Sequence, residues 1–176
     1  MNRLFFSLFF FSVVLSVTVA GATTVLNVPV NQLAKTSQIM FHGTVVSVDD
    51  FQPDDGVEGF YTTIKFSIIE GIKGIADGQA EFTLTVPGGR NEKYVVKIPG
   101  MPIFSVADEV VLILEKNSNG SFAISGLKQG VFRVIRQDNG KVPTVKRELT
   151  NLNIVDSKQF AKDSLDFTEL SLKKLI

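Results

Sequence analysis

Apolar and polar residues alternate with period two along most of the chain, the signature of strands with one buried face. Phe82, Leu84 and Val86 alternate with Glu81, Thr83 and Thr85, and Ile64, Phe66 and Ile68 with Thr63, Lys65 and Ser67. Ile39 to Val48 and Val110 to Leu114 are apolar on both faces and read as central strands covered on both sides. Tyr94, Val96 and Ile98 mark a shorter strand, and Phe122 to Ser125 and Val131 to Arg136 complete a set of seven. Asp55-Gly56, Asp77-Gly78, Gly88-Gly89, Asn119-Gly120 and Asn139-Gly140 fall between apolar runs and supply residues that tolerate positive φ at a reversal. Asn117 to Gly120 predicts a hairpin. A short helix is expected over 31–35, after Pro29. A second is expected over 167–176, where Phe167, Leu170 and Leu175 lie near helical spacing and Asp166 or Thr168 is placed to cap. The expected class is all-β with short flanking helices. Its expected form is a small antiparallel OB-like barrel, with a β-sandwich as the alternative.

The N-terminus breaks the pattern. Arg3 is followed by an uncharged run from Leu4 to Val19 rich in Phe, which ends in Ala20-Gly21-Ala22. A charged start, an apolar stretch and small residues at the cleavage positions make residues 1–22 a secretory signal peptide. The run is shorter than the roughly 20 residues of a spanning helix, so no stable membrane span is expected after cleavage. The expected organisation is a signal peptide over 1–22, a β-barrel domain over 23–156 and a C-terminal segment over 157–176 whose helix packs on the barrel. The mature chain is exported, to the periplasm or the medium.

Composition narrows the chemistry. With no Cys there are no disulfides, thiol nucleophiles or Cys-ligated metals, and one His excludes any site that needs two imidazoles. Lys plus Arg and Asp plus Glu number 18 each, a balance unlike that of a dedicated nucleic-acid binder. No cofactor is expected. His42, on the first long strand, offers a general base or lone ligand, but no Ser or Asp motif accompanies it. The reading taken is a half-buried strand histidine making one hydrogen bond. Asp49, Asp50, Asp54, Asp55 and Glu58 form an acidic loop and are the weak calcium candidates. Their spacing is not that of an EF-hand loop, and a solvated hairpin loop is the preferred reading.

Lys128, Arg133, Arg136, Lys141, Lys146 and Arg147 oppose only Asp138 in their segment. Phe132 is the only aromatic among them, so a charged outer face contacting a partner or anionic envelope polymer is favoured over a nucleic-acid groove. Ile98-Pro99-Gly100-Met101-Pro102-Ile103-Phe104 forms either an exposed apolar recognition patch or a cap on the barrel.

From Asn31 to Arg136 the order of parts has a likeness. A short helix precedes Gly43-Thr44-Val45-Val46-Ser47-Val48. Tyr61 to Phe66 then leads to Ile72-Lys73-Gly74, followed by Val86-Pro87-Gly88-Gly89, Pro99 to Phe104, and Asp108-Glu109-Val110 to Leu114. This resembles a family of small secreted bacterial β-barrel domains without established activity. More distantly it is similar to the netrin-like OB domains, which include tissue metalloproteinase inhibitors. Those share a short helix, a G-x-V-x-x-V strand and a strand ending in Lys-Gly. The inhibitors use an N-terminal Cys that this chain lacks, and Ala107 stands where the bacterial pattern often has Gly. The resemblance implies fold rather than activity.

The function expected is therefore an exported, non-enzymatic binding protein that recognises a protein or cell-surface partner. Its tentative contacts are Met101, Pro102, Ile103, Arg133, Arg136 and Arg147. An exported hydrolase using a Ser/Lys or carboxylate pair, and an envelope structural factor, are the alternatives.

Overall fold

The computed structural model describes residues 23–54, 59–136, 142–147, 149, 152–155 and 169–171. The expected signal peptide, Asp55, Glu58 and most of 157–176 lie outside them. Strands β1 (Thr23–Leu26), β2 (Ile39–Phe51), β3 (Tyr61–Lys73), β4 (Glu81–Pro87), β5 (Gly89–Arg90), β6 (Val95–Val96), β7 (Glu109–Lys116), β8 (Phe122–Ile124), β9 (Val131–Ile135), β10 (Thr144–Arg147), β11 (Leu152–Val155) and β12 (Glu169–Ser171) are joined by one helix, α1 (Val30–Thr36), and a 3₁₀ turn over Leu127–Gly130. The main sheet runs β12-β10-β9-β7-β2-β3-β4, with β8 paired to the end of β7. All its ladders are antiparallel. Parallel β1–β11 and antiparallel β5–β6 form separate two-stranded sheets.

The all-β antiparallel class is the one the alternation predicts, but the sheet does not close into a barrel. Among the described residues no ladder joins β4 to β8. Three-residue β8 instead meets β4 through side chains, with the Phe82 and Phe122 rings 5.8 Å apart.

The two strands read as central are central. β2 and β7 bury Ile39, Phe41, Val45, Val110, Leu112 and Leu114 on one side, against Ile64, Phe66, Phe82, Leu84, Val86 and Phe104. On the other side Met40, Val111 and Ile113 pack with Leu33 of α1, Phe132 and Val145. β4 alternates buried and exposed residues along its whole length.

The G-x-V-x-x-V spacing now has a cause. Val45 pairs with Phe66 and Ser47 with Lys65, so Val46 is an extra residue, a β-bulge. The bulge reverses the parity of β2. Val48 therefore packs on the same core as Val45, not on the His42 face where unbroken alternation places it. A Cβ on Gly43 would stand 2.6 Å from the Ser67 carbonyl oxygen, which explains the glycine. The Lys-Gly ending of β3 is equally specific. Lys73 Nζ donates to the carbonyls of Ala34 at 2.9 Å and Lys35 at 3.3 Å, closing the C-terminus of α1. Gly74, at φ +67°, passes so close to the Gln38 carbonyl that a Cβ would collide with it.

The helix expected at the C-terminus needs correction. Glu169–Ser171 is a strand on the outer edge of β10, not part of a helix; the unpaired edge of β10 gives that backbone hydrogen-bond partners that an amphipathic turn lacks. The shorter strand expected at Tyr94, Val96 and Ile98 is present as the two residues Val95–Val96, paired with β5, and the side chains of Tyr94, Val96 and Ile98 are exposed. The parallel β1–β11 pair was not anticipated, because it joins segments far apart in the chain with no connecting turn.

Candidate functional site

A concavity of about 670 Å³ lies where the start of β7 meets β9 and β10. Ala107, Asp108 and Glu109 form one wall; Arg133 to Arg136, Lys146, Arg147 and Leu149 form the rest. Ala107 enters this wall with φ +73°, the left-handed region that glycine occupies without strain. Its N–H donates to the Val45 carbonyl at 2.9 Å, while Val45 N–H donates to the Asp108 carbonyl at 2.9 Å. The bulged part of β2 thus fixes where the two acids point.

Both acids are occupied. Glu109 Oε1 accepts from His42 Nε2 at 2.7 Å and from Arg136 Nη2 at 2.5 Å, and Oε2 accepts from Arg136 Nε at 2.7 Å. The Arg136 guanidinium holds the Glu109 carboxyl below its ordinary range; burial opposes this, and the His42 hydrogen bond adds to it. The Arg136 pKa is raised by the same pairing. Asp108 Oδ2 accepts from Arg133 Nη1 at 2.6 Å and from Ser105 N–H at 2.8 Å. Arg133 Nη2 also donates to the Ile103 carbonyl at 2.6 Å, tying the 98–104 loop to β9.

The residues expected from sequence are brought together unevenly. His42 is 3% exposed and makes the Glu109 hydrogen bond, so it supports the groove wall from behind. Arg147 is not an outer-face contact. It is buried, donates from Nε to the Gln129 carbonyl at 3.0 Å and from Nη2 to the Val28 carbonyl at 3.2 Å, and stacks on Phe132. Gln129, 1% exposed, accepts from Val28 N–H and donates to the Leu26 carbonyl, both at 2.9 Å. This Arg147–Gln129 pair anchors the segment after β1, and nothing in the local sequence marks either residue as interior. The basic face is also not opposed by Asp138 alone, since Asp108 and Glu109 reach it from β7.

The 98–104 loop is both cap and patch. Phe104 is buried edge-on against Phe66, with centroids 5.6 Å apart, and Pro102 is buried. Met101 is half-buried, whereas Ile103 is 69% exposed. Ile103 belongs to a longer run, with Tyr94, Val95, Val96, Ile98 and Val106 also exposed.

Of the expected acidic loop, Asp49 and Asp50 lie on the end of β2, and Asp49 accepts from Ser47 Oγ at 2.9 Å. Asp50 accepts from Thr62 Oγ1 at 2.6 Å and pairs with Arg90 Nε at 3.3 Å. Among the described residues no three His, Cys, Asp or Glu side chains converge as metal ligands, and no helix is long and apolar enough to cross a membrane.

No protein-family model, no curated protein and no solved structure matches the chain.

Proposed function

We propose that this chain is an exported binding protein, without catalysis of its own, that recognises a protein partner through the face from Tyr94 to Val106. One observation carries the reading. Six large apolar side chains are exposed within thirteen residues, next to the groove that opens at the start of β7. Single exposed apolar residues are ordinary on a soluble protein, but a concentrated run is the mark of a surface that is covered in use. The groove chemistry supports binding over hydrolysis. A general acid or base needs a proton or lone pair to exchange with substrate, whereas both oxygens of Glu109 accept from His42 and Arg136, and Oδ2 of Asp108 accepts from Arg133 and Ser105. Among the described residues no Ser lines the groove, which gives the Ser/Lys alternative no support there. Export rests on Arg3, the apolar run and Ala20-Gly21-Ala22.

The test is capture of partners from envelope fractions and culture medium by the mature protein. Ile103→Asp and Val106→Asp are expected to abolish capture while keeping stability within about 1 kcal/mol, because both side chains already face water. Capture undiminished in both folded variants refutes the reading. Mass spectrometry of the exported form is expected to show the chain beginning at residue 23, and an intact Met1 refutes cleavage.

A further inference from the structure

We infer that the groove beside this face seats an extended acidic peptide segment that also carries apolar side chains, a part of the partner. The inference rests on the binding reading above and adds the chemistry of what is bound. It starts from a like-charge contact. The β9–β10 register sets Arg133 directly opposite Lys146. Like charges facing each other across an antiparallel pair repel, so the placement costs stability unless an anion lies between or above them. Asp108 meets this need for Arg133. Lys146 is exposed, and its ammonium has no hydrogen bond or ion pair among the described residues. Arg136 spends Nε and Nη2 on Glu109, yet its side chain remains 58% exposed.

On its open side the described lining holds three cations, Arg133, Arg136 and Lys146, against two acids, Asp108 and Glu109, an excess of one positive charge, while Arg147 is buried and turned to Gln129 and Val28. Both acids are turned to internal donors, so among the described residues the charge offered to an incoming ligand is positive. The remaining walls are Val134, Ile135 and Leu149, and exposed Ile103 and Val106 follow in the adjoining loop. A phosphate-bearing polymer has no use for such an apolar floor. A peptide that alternates carboxylate and aliphatic side chains uses both, with its carboxylates toward Lys146 and Arg136 and its aliphatic groups on Ile135 and Leu149.

The test uses the mature protein and fluorescence anisotropy with a labelled peptide of about ten residues alternating Glu and Leu, a length matched to an extended groove ligand. A Lys/Leu peptide is the control and inorganic polyphosphate the competitor. The Glu/Leu peptide is expected to bind, more weakly as ionic strength rises, and the Lys/Leu peptide is not. Lys146→Glu is expected to weaken binding about tenfold and Lys146→Arg to retain it. Should Lys146→Glu lose its fold, Lys146→Ala carries the same test with an expected loss of about threefold.

Equal binding of the two peptides, no binding of either, or indifference to position 146 overturns the inference. So does polyphosphate that binds more tightly than the Glu/Leu peptide and is unaffected by Ile135→Asp, since the site is then one for phosphate polymer. The outcomes separate the two readings. If Ile103→Asp abolishes partner capture while Lys146→Glu changes neither capture nor peptide binding, only the groove inference falls. If neither variant alters capture, both fall.

Discussion

Replacing Glu109 by Gln removes the acceptor on which three donors converge, and the cost follows from where those donors are buried. His42 is 3% exposed, so its Nε2–H has no water to turn to once the carboxylate is gone. An unsatisfied buried donor costs about 1–3 kcal/mol. Arg136 is more than half exposed and rehydrates, so it adds little to the loss. A glutamine can offer its single oxygen to one donor while its amide nitrogen confronts the other. Glu109→Gln is therefore expected to lose about 2 kcal/mol in urea unfolding near neutrality, with an unchanged m-value.

The pH dependence has a definite sign. The Glu109 carboxyl in the folded protein sits below its ordinary value, chiefly because Arg136 donates to it. Its contribution is present above the unfolded-state value of about 4.3 and is lost as the pH falls through the folded value. The gap between wild type and Glu109→Gln must then shrink as the solution is acidified below about pH 4. Other carboxylates titrate in both proteins and cancel in the difference. A gap under about 0.5 kcal/mol near neutrality, or one that widens in acid, refutes the network.

Three further outcomes are expected. Phe41→Ala is expected to cost about 3–5 kcal/mol by thermal or urea unfolding, since Phe41 is fully buried with ring contacts to Phe66 at 5.5 Å and Phe82 at 5.2 Å; a loss under about 1 kcal/mol contradicts the core assignment. Arg147→Ala is expected to lose about 2–4 kcal/mol by the same measurement, because the Gln129 and Val28 carbonyls lose their donor and Phe132 loses its cover; a stable variant that has lost only partner capture restores Arg147 to the surface. Calcium is expected to leave the melting temperature unchanged, because Asp49 and Asp50 are occupied by Ser47, Thr62 and Arg90; a large rise on adding calcium assigns the acidic loop a metal.

What was legible in the sequence was whatever a local period or spacing encodes. The two-faced apolar runs of β2 and β7 announced central strands, and the alternation of β4 announced one buried face. The G-x-V-x-x-V spacing held the Val46 bulge in plain form, since two residues between valines put both on one face only when one of the two is extra. The groove was not legible. Its acids open β7 and its cations lie on β9 and β10, so their meeting depends on a ladder register that no local pattern carries. Arg147 read as surface because arginine usually is; buried Gln129 and the carbonyl of Val28 give it an interior place. The 98–104 loop resisted a single reading because it has two roles: adjacent Ile103 and Phe104 point to solvent and core respectively.

If the 94–106 run meets the partner, a reactive group placed within it lies in contact with that partner. Site-specific photocrosslinking tests this contact most directly, with a benzophenone side chain placed at Ile103 in the full-length exported protein and, separately, at Ile69, an exposed residue outside that run. A discrete crosslinked species is expected from position 103 in the native compartment, reduced by Val106→Asp, and none from position 69. Equal crosslinking from both positions, or adducts from 69 alone, contradicts it.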